Sequence, residues 1–353
     1  MASVVAITAA ILVALILFAW VRTPHWFARP LRRLPLQNLG LHVVGDDVRL
    51  VEDWSHAISQ GVAARLNRPR GRWLARCEMA APKWRPQVLE GAAFGCGALR
   101  MLGGRQWREL PREILRTRPQ FGQAAYFGFG LWGAWRFGRN FEDFLKVVQC
   151  YDPWWRFVCL DGYGFKFGLF DYPGDHRSLS HLHAIPGYYR RAAFQGVGRA
   201  FYFAYLSDRR GLIETISDFA PQHDGDLIEG AAFASAYYQP DRPRRALNFV
   251  RAMPFEWRAN AHLGITLGFR ARATADADYF EACIIDLPRM HAAAIHHAVA
   301  LAGEMEEQIR REHRTASYGL WREKLTQRMQ HERLWDPAYV DAETRSGGEG
   351  AVR

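Results

Sequence analysis

From Asp47 onward the apolar positions fall at helical spacing: Val48, Val51, Trp54, Ile58, Val62 and Leu66 are three or four residues apart. Such a stripe predicts an amphipathic helix with one face toward a core. Pro82 and Pro86 then precede a second small-residue helix over Val88–Leu102. Pro111, Pro119, Pro153, Pro173, Pro186, Pro221, Pro240, Pro254 and Pro288 punctuate the chain at intervals that suit helices of about ten to twenty residues. No run of alternating strands appears, so an all-α domain is expected over residues 47–335. Leu301–Trp335 is charged and helix-prone, and residues 336–353 read as a disordered tail.

The N-terminus follows a different pattern. Ala2–Val21 contains no charge, and twenty helical residues span roughly 30 Å, the thickness of a bilayer core. Arg22, Arg29, Arg32 and Arg33 follow, and no acid stands between Met1 and Arg33. This predicts a single transmembrane anchor over residues 1–22 and a basic juxtamembrane connector over 23–46. The positive cluster places the main domain on the cytoplasmic side, against an anionic membrane surface. Residues 121–135 are also uncharged but short for a second span, and read as a core helix.

Glycine and alanine interrupt the helical stripes in a repeated way. Glu90-Gly-Ala-Ala-Phe recurs as Glu229-Gly-Ala-Ala-Phe, and Gln195-Gly-Val-Gly-Arg-Ala-Phe reads as a diverged third copy. Internal pseudo-repeats of this kind stack units around a shared core. Glycine inside a helix costs about 1 kcal/mol relative to alanine. Gly91, Gly95, Gly128, Gly130, Gly133, Gly264 and Gly268 therefore serve either close helix packing or room for a ligand.

Composition narrows the function classes. Of 353 residues, 49% are apolar and 14% aromatic, which suits a folded core with large aromatic surfaces. The five cysteines are scattered and no CxxC occurs, so neither a disulfide framework nor a zinc site is expected. The net charge is +10, of which Arg22, Arg29, Arg32 and Arg33 supply four, and nothing resembles a nucleic-acid recognition motif. No GxGxxG after a strand, GxxxxGK[ST] or GxSxG is found, and Asp46-Asp47 is not an aspartate-rich helix for magnesium–diphosphate. No metal and no cofactor is expected; His291 and His296, for example, stand five apart rather than four.

The candidate chemistry centres on Leu160-Asp161-Gly162-Tyr163-Gly164-Phe165. Asp161 either closes a glycine-flanked turn or enters an apolar pocket, where a raised pKa makes it a proton donor. Tyr163, Asp171, His181 and His183 are the companion acid–base candidates. Glu90 and Glu229 read either as inward carboxylates or as helix N-terminal acids favoured by the macrodipole. Arg199 could hold Asp161 or a carboxylate ligand. Tyr126, Gly128, Trp132, Trp155, Phe165, Gln195 and His262 complete the ligand-facing candidates.

Arg49–Leu66, Leu89–Leu102, Gly187–Phe203, Asp226–Tyr238, the DGYGF stretch and the following Gly-Leu-Phe together resemble the UnbL-like family, met in enediyne polyketide gene clusters. The resemblance covers roughly residues 47–300. Members tend to carry a histidine where this chain has Lys166, and generally lack the N-terminal span. The resemblance implies natural-product or lipid-like metabolism at a membrane, with long conjugated polyenes as ligands; the anchor sets the expectation of a bacterial inner membrane, where membrane-bound biosynthetic partners would be met. The expectation is a protein that takes a hydrophobic small molecule, a polyene or isoprenoid, and isomerises or cyclises it by proton transfer. The alternative is a non-catalytic carrier or scaffold.

Overall fold

The computed structural model describes residues 41–67, 72–100, 110–172, 176–219, 221–312 and 318–332. The apolar run at 2–21, the arginine cluster and the tail after 332 lie outside the described residues. Among the described residues there is no strand, so the all-α expectation holds, and no helix is long and apolar enough to cross a membrane. In chain order the helices are α1 (Asp46–Asn67), α2 (Arg72–Glu78), α3 (Arg85–Arg100), α4 (Leu110–Thr117), α5 (Gly122–Phe137) and α6 (Phe141–Val148). Then come α7 (Arg156–Lys166), α8 (Gly187–Ala204), α9 (Arg209–Phe219), α10 (Asp224–Tyr237), α11 (Pro243–Arg251) and α12 (Arg258–Ala275). The last three are α13 (Ala277–Ile284), α14 (Arg289–Glu312) and α15 (Tyr318–His331). A π-helical stretch, Phe167–Asp171, extends α7, and a 3-10 segment, His176–Ala184, leads back to α8.

The longer helices form one row in the order α1, α3, α5, α7, α8, α10, α12, each packed on the next, with α14 on the far edge. They run parallel. Gly164 of α7 and Gly168 of its π-helical extension, for instance, meet Ala193 and Val197 of α8. Between them the short helices carry the chain back. The unit is one long helix plus one return segment, and its length is written in two residue types. Gly128, Gly162, Gly196, Gly230 and Gly264 recur at one constant interval, the same that separates Gln195 from Glu229. Pro119, Pro153, Pro186, Pro221, Pro254 and Pro288 stand at the starts of successive long helices, at nearly the same interval. The Gln195 copy is the immediate neighbour of the Glu229 copy in this series, whereas Gly91 of the Glu90 copy falls outside the constant interval.

The glycines explain how a helix packs equally closely on two sides. At 3.6 residues per turn, positions i and i+2 point about 200° apart. In α7, Gly162 faces the Phe127 carbonyl of α5 and Gly164 faces the Ala193 carbonyl of α8. The pairs Gly128/Gly130 and Gly196/Gly198 do the same in α5 and α8. A methyl group at any of these positions would overlap a neighbouring backbone carbonyl, so the small-residue runs are packing surfaces and Gly128 leaves no room for a ligand. Gly162→Ala is expected to cost about 2–3 kcal/mol through overpacking. Urea unfolding reads this directly, and an unchanged midpoint would show that α5 and α7 can part without penalty.

The row is bent so far that its start meets its later helices. His42 N–H donates to the Ala204 carbonyl at 2.5 Å, and Arg245 pairs with Asp47 at 2.6 Å. Trp54 of α1 lies 5.0 Å from Phe203 of α8, ring to ring. Arg272, near the end of α12, donates to the Lys83 carbonyl at 2.9 Å, and Arg85 pairs with Asp276 at 2.7 Å. The inward faces of the row therefore share one interior.

Candidate functional site

Equivalent positions in the repeated units are Leu131, Phe165, Arg199, Phe233 and Leu267. All five are buried, and Arg199 alone is charged. Its guanidinium carbon lies 4.0 Å from the Phe127 ring centre and 4.5 Å from that of Phe233, with Tyr238 and Tyr237 at 5.4 and 5.5 Å. These aromatic faces replace part of its lost hydration. Nη1 donates to Asp161 Oδ2 at 2.5 Å, and Nη2 to the Tyr238 hydroxyl at 2.6 Å. Burial works against the Arg199 charge, but Asp161, Tyr238 and Glu90 overcome it and raise the pKa above the ordinary arginine value. Burial raises Asp161 above the usual carboxylate range, and Arg199 opposes that shift without cancelling it.

Glu90 of α3 faces the same interior. It is fully buried, and burial pushes its pKa up to about 8 against the favourable fields of Arg199 and Arg272. Tyr237 lies close enough to favour the charged form, yet among the described residues neither Glu90 oxygen has a hydrogen bond of ordinary geometry. One turn earlier on α3, the buried Gln87 side chain is equally without partners there. At neutral pH Glu90 is therefore mostly the neutral acid.

A second charged group ties α15 to the row. Arg322 pairs with Glu229, reaches Asp226 at 3.7 Å and donates to the Tyr188 hydroxyl. Gln195 donates to Glu229 at 3.1 Å. Docking of α15 also brings Trp321 to 5.5 Å from Trp154.

Beside this group lies a cavity of about 510 Å³. Trp154, Trp155, Trp321 and Phe233 supply its aromatic surface, and Leu115, Leu267 and Ala271 add aliphatic wall. Phe233, the ring 4.5 Å from the Arg199 guanidinium, also lines the cavity. Tyr318 also lines the cavity; its hydroxyl is raised by burial and feels both Gln195 and Asp161. Arg270, Arg310, Glu306 and Asp152 supply charge to the lining.

The structure separates the residues singled out from sequence. Asp161 and Tyr163 do not form a turn. Both lie inside α7, two residues apart and so on opposite faces. Tyr163 donates to the Gly138 carbonyl at 2.8 Å and stacks on Phe144 at 4.9 Å. It belongs to a cluster with Phe167 and His181, whose rings are 4.4 Å apart. Asp171 pairs with Lys166 at 2.8 Å. His183 packs at 5.1 Å on Phe194, near His223. The five catalytic candidates thus do not converge on one pocket. Glu90 and Glu229 are not helix-end acids, since both lie in the body of their helices with buried side chains.

Of the ligand-facing candidates, Trp155 lines the cavity and Tyr126 stacks on it at 6.0 Å. Trp132 packs on Gly97, and Phe165 sits between Trp54 and Phe127. His262 is pushed down to about 4 by burial and stands in the first half of α12. Arg199 and Asp161 are brought together as anticipated, with Glu90 in the same interior. Sequence reasoning missed Phe233, Arg270, Arg310, Tyr318 and Trp321. The glycine register, which aligns Phe233 with Arg199, was the available signal for the first. Among the described residues no group of three or more His, Cys, Asp or Glu is placed to hold a metal.

No curated protein and no solved structure matched the sequence. Residues 37–329, which take in the whole row and α14 and most of α15, match the family described as Protein of unknown function (DUF1702), and the chain belongs to that family.

Proposed function

We propose that the domain binds an extended apolar molecule, a polyene or isoprenoid intermediate of natural-product biosynthesis, in the tryptophan-walled cavity. The observation that carries this reading is the meeting of three tryptophans, Phe233 and Tyr318 around about 510 Å³. That volume lies within the range of roughly 300–1,000 Å³ common for small-molecule pockets. The uncharged run at 2–21 and the arginines after it support an inner-membrane anchor with the domain on the cytoplasmic side. Such an anchor keeps the cavity near a reservoir of apolar substrate. The enediyne-associated resemblance supports a biosynthetic setting, and on this reading the domain works beside membrane-bound partners.

Holding and presenting the ligand is the role the geometry favours, because Asp161 is not on the cavity wall. A proton-transfer isomerase or cyclase is the second reading. It draws on Tyr318, which lies on the wall beside Gln195 and within the field of Asp161. The test is organic extraction of full-length protein purified in detergent from a host with the native pathway, followed by mass and ultraviolet spectra. A stoichiometric conjugated or isoprenoid compound is expected. Ala271→Trp, which fills the cavity from the α12 wall, should reduce its occupancy at least about tenfold while moving stability by no more than about 0.5 kcal/mol. Product turnover lost in Tyr318→Phe with binding retained would favour the enzyme; retained exchange of an unchanged ligand favours the carrier.

A further inference from the structure

The charged residues of the cavity define the head group of its ligand. Arg310 of α14 lies over Trp154, its guanidinium carbon 4.0 Å from the ring centre and 5.9 Å from that of Trp155. Arg270 of α12 lies alongside Gly303, where a β-carbon would crowd its guanidinium at 3.2 Å. Both arginines share one acid: Glu306 is 3.0 Å from Arg310 and 3.7 Å from Arg270. Asp152, the other acid of the lining, has Oδ1 engaged by the Trp154 backbone N–H at 2.9 Å. The Arg270 Nε–H is buried and, among the described residues, has no hydrogen-bond partner. Two guanidinium groups facing one shared carboxylate leave donors for a second anion, and planar donors of this kind suit a carboxylate. The rest of the lining is mainly apolar and aromatic, with Gln120, Gln123, Thr274 and Tyr318 as its further polar residues.

Resting on the apolar-ligand reading above, we propose that the bound molecule is a carboxylic acid with a long unsaturated tail. Its carboxylate sits between Arg270 and Arg310. Its chain runs along Trp155 and Leu267 toward Phe233. The tail explains the tryptophans, and the head explains why two guanidinium groups gather beside an aromatic wall with both side chains still partly open to solvent.

The test uses cis-parinaric acid, a fluorescent conjugated tetraene fatty acid, and its methyl ester, titrated into full-length protein in detergent-free nanodiscs, with empty nanodiscs subtracted. The acid is expected to bind about tenfold more tightly than the ester, the size of one charge-assisted pair. Arg270→Gln should abolish that preference and leave ester binding unchanged. Arg310→Gln should do the same and serves as a second, independent variant. Equal affinity of acid and ester for the wild type would overturn the head-group assignment while leaving the apolar cavity standing. Failure of both probes to bind would overturn the apolar-ligand reading and this inference with it. A preference for the acid that survives both variants would place the carboxylate elsewhere and also overturn the assignment.

Discussion

Replacement of Arg199 by methionine is expected to destabilise the domain by about 3–5 kcal/mol, the range for removing one partner of a buried ion pair. Methionine is similar in length and fills the space between Phe127 and Phe233, so little of the loss comes from packing. The loss comes from Asp161, which is left buried without its cation, and from the Tyr238 hydroxyl, which loses its donor. The double variant Arg199→Met/Asp161→Leu should recover most of the stability, because two apolar side chains of suitable volume need no solvation. Urea unfolding of both variants and of Asp161→Leu completes a double-mutant cycle. A double variant no more stable than Arg199→Met alone would mean that the interior depends on the cation itself rather than on charge balance.

The second large effect is a pH dependence. In the unfolded chain Glu90 titrates near its ordinary value of 4.5, and in the folded domain near about 8. Between these two values the unfolded state releases a proton that the folded state keeps. The unfolded state then binds fewer protons, so stability falls as pH rises through this window and levels off above about 8. The displacement corresponds to at most about 5 kcal/mol at pH 8. Glu90→Gln removes the titration and puts a neutral amide of the same shape in place of the carboxyl group. The variant should match the wild type near pH 4.5 and become progressively more stable than it up to pH 8. Thermal unfolding at intervals across that range checks the sign. A difference that is constant with pH would show that Glu90 titrates in the folded domain as it does in the unfolded chain.

Much of the architecture could be read in the chain because helices announce themselves locally. The stripe Val48, Val51, Trp54, Ile58 lies within α1, and the prolines mark the starts of units that the structure confirms. What misled the reading was glycine. Gly162 and Gly164 look like a turn because each weakens a helix, but backbone-to-backbone packing on two neighbours outweighs that cost in α7. The acid–base pairing of Asp161 with Tyr163 failed for the same reason, since a helix sends alternate residues to opposite sides. The copies at Glu90 and Glu229 drew attention by identical letters, while the true register ran through glycines in otherwise dissimilar helices. The cavity left no local trace. Trp154 and Trp321 stand in distant parts of the sequence, and only the docking of α15 through Arg322 brings them together.

The bend of the row has a consequence for how such a chain can evolve. An open solenoid tolerates duplication or deletion of a unit, because each unit answers only to its neighbours. Here Arg272 and Asp276 near the last unit must meet Lys83 and Arg85 near the first in direct contact. One more unit would carry the ends past each other, and one fewer would leave them short. Gain or loss of a whole unit is thereby closed as a route to new proteins of this architecture. Insertions should accumulate in those return segments that make no closing contact, away from Lys83, Arg245 and Asp276.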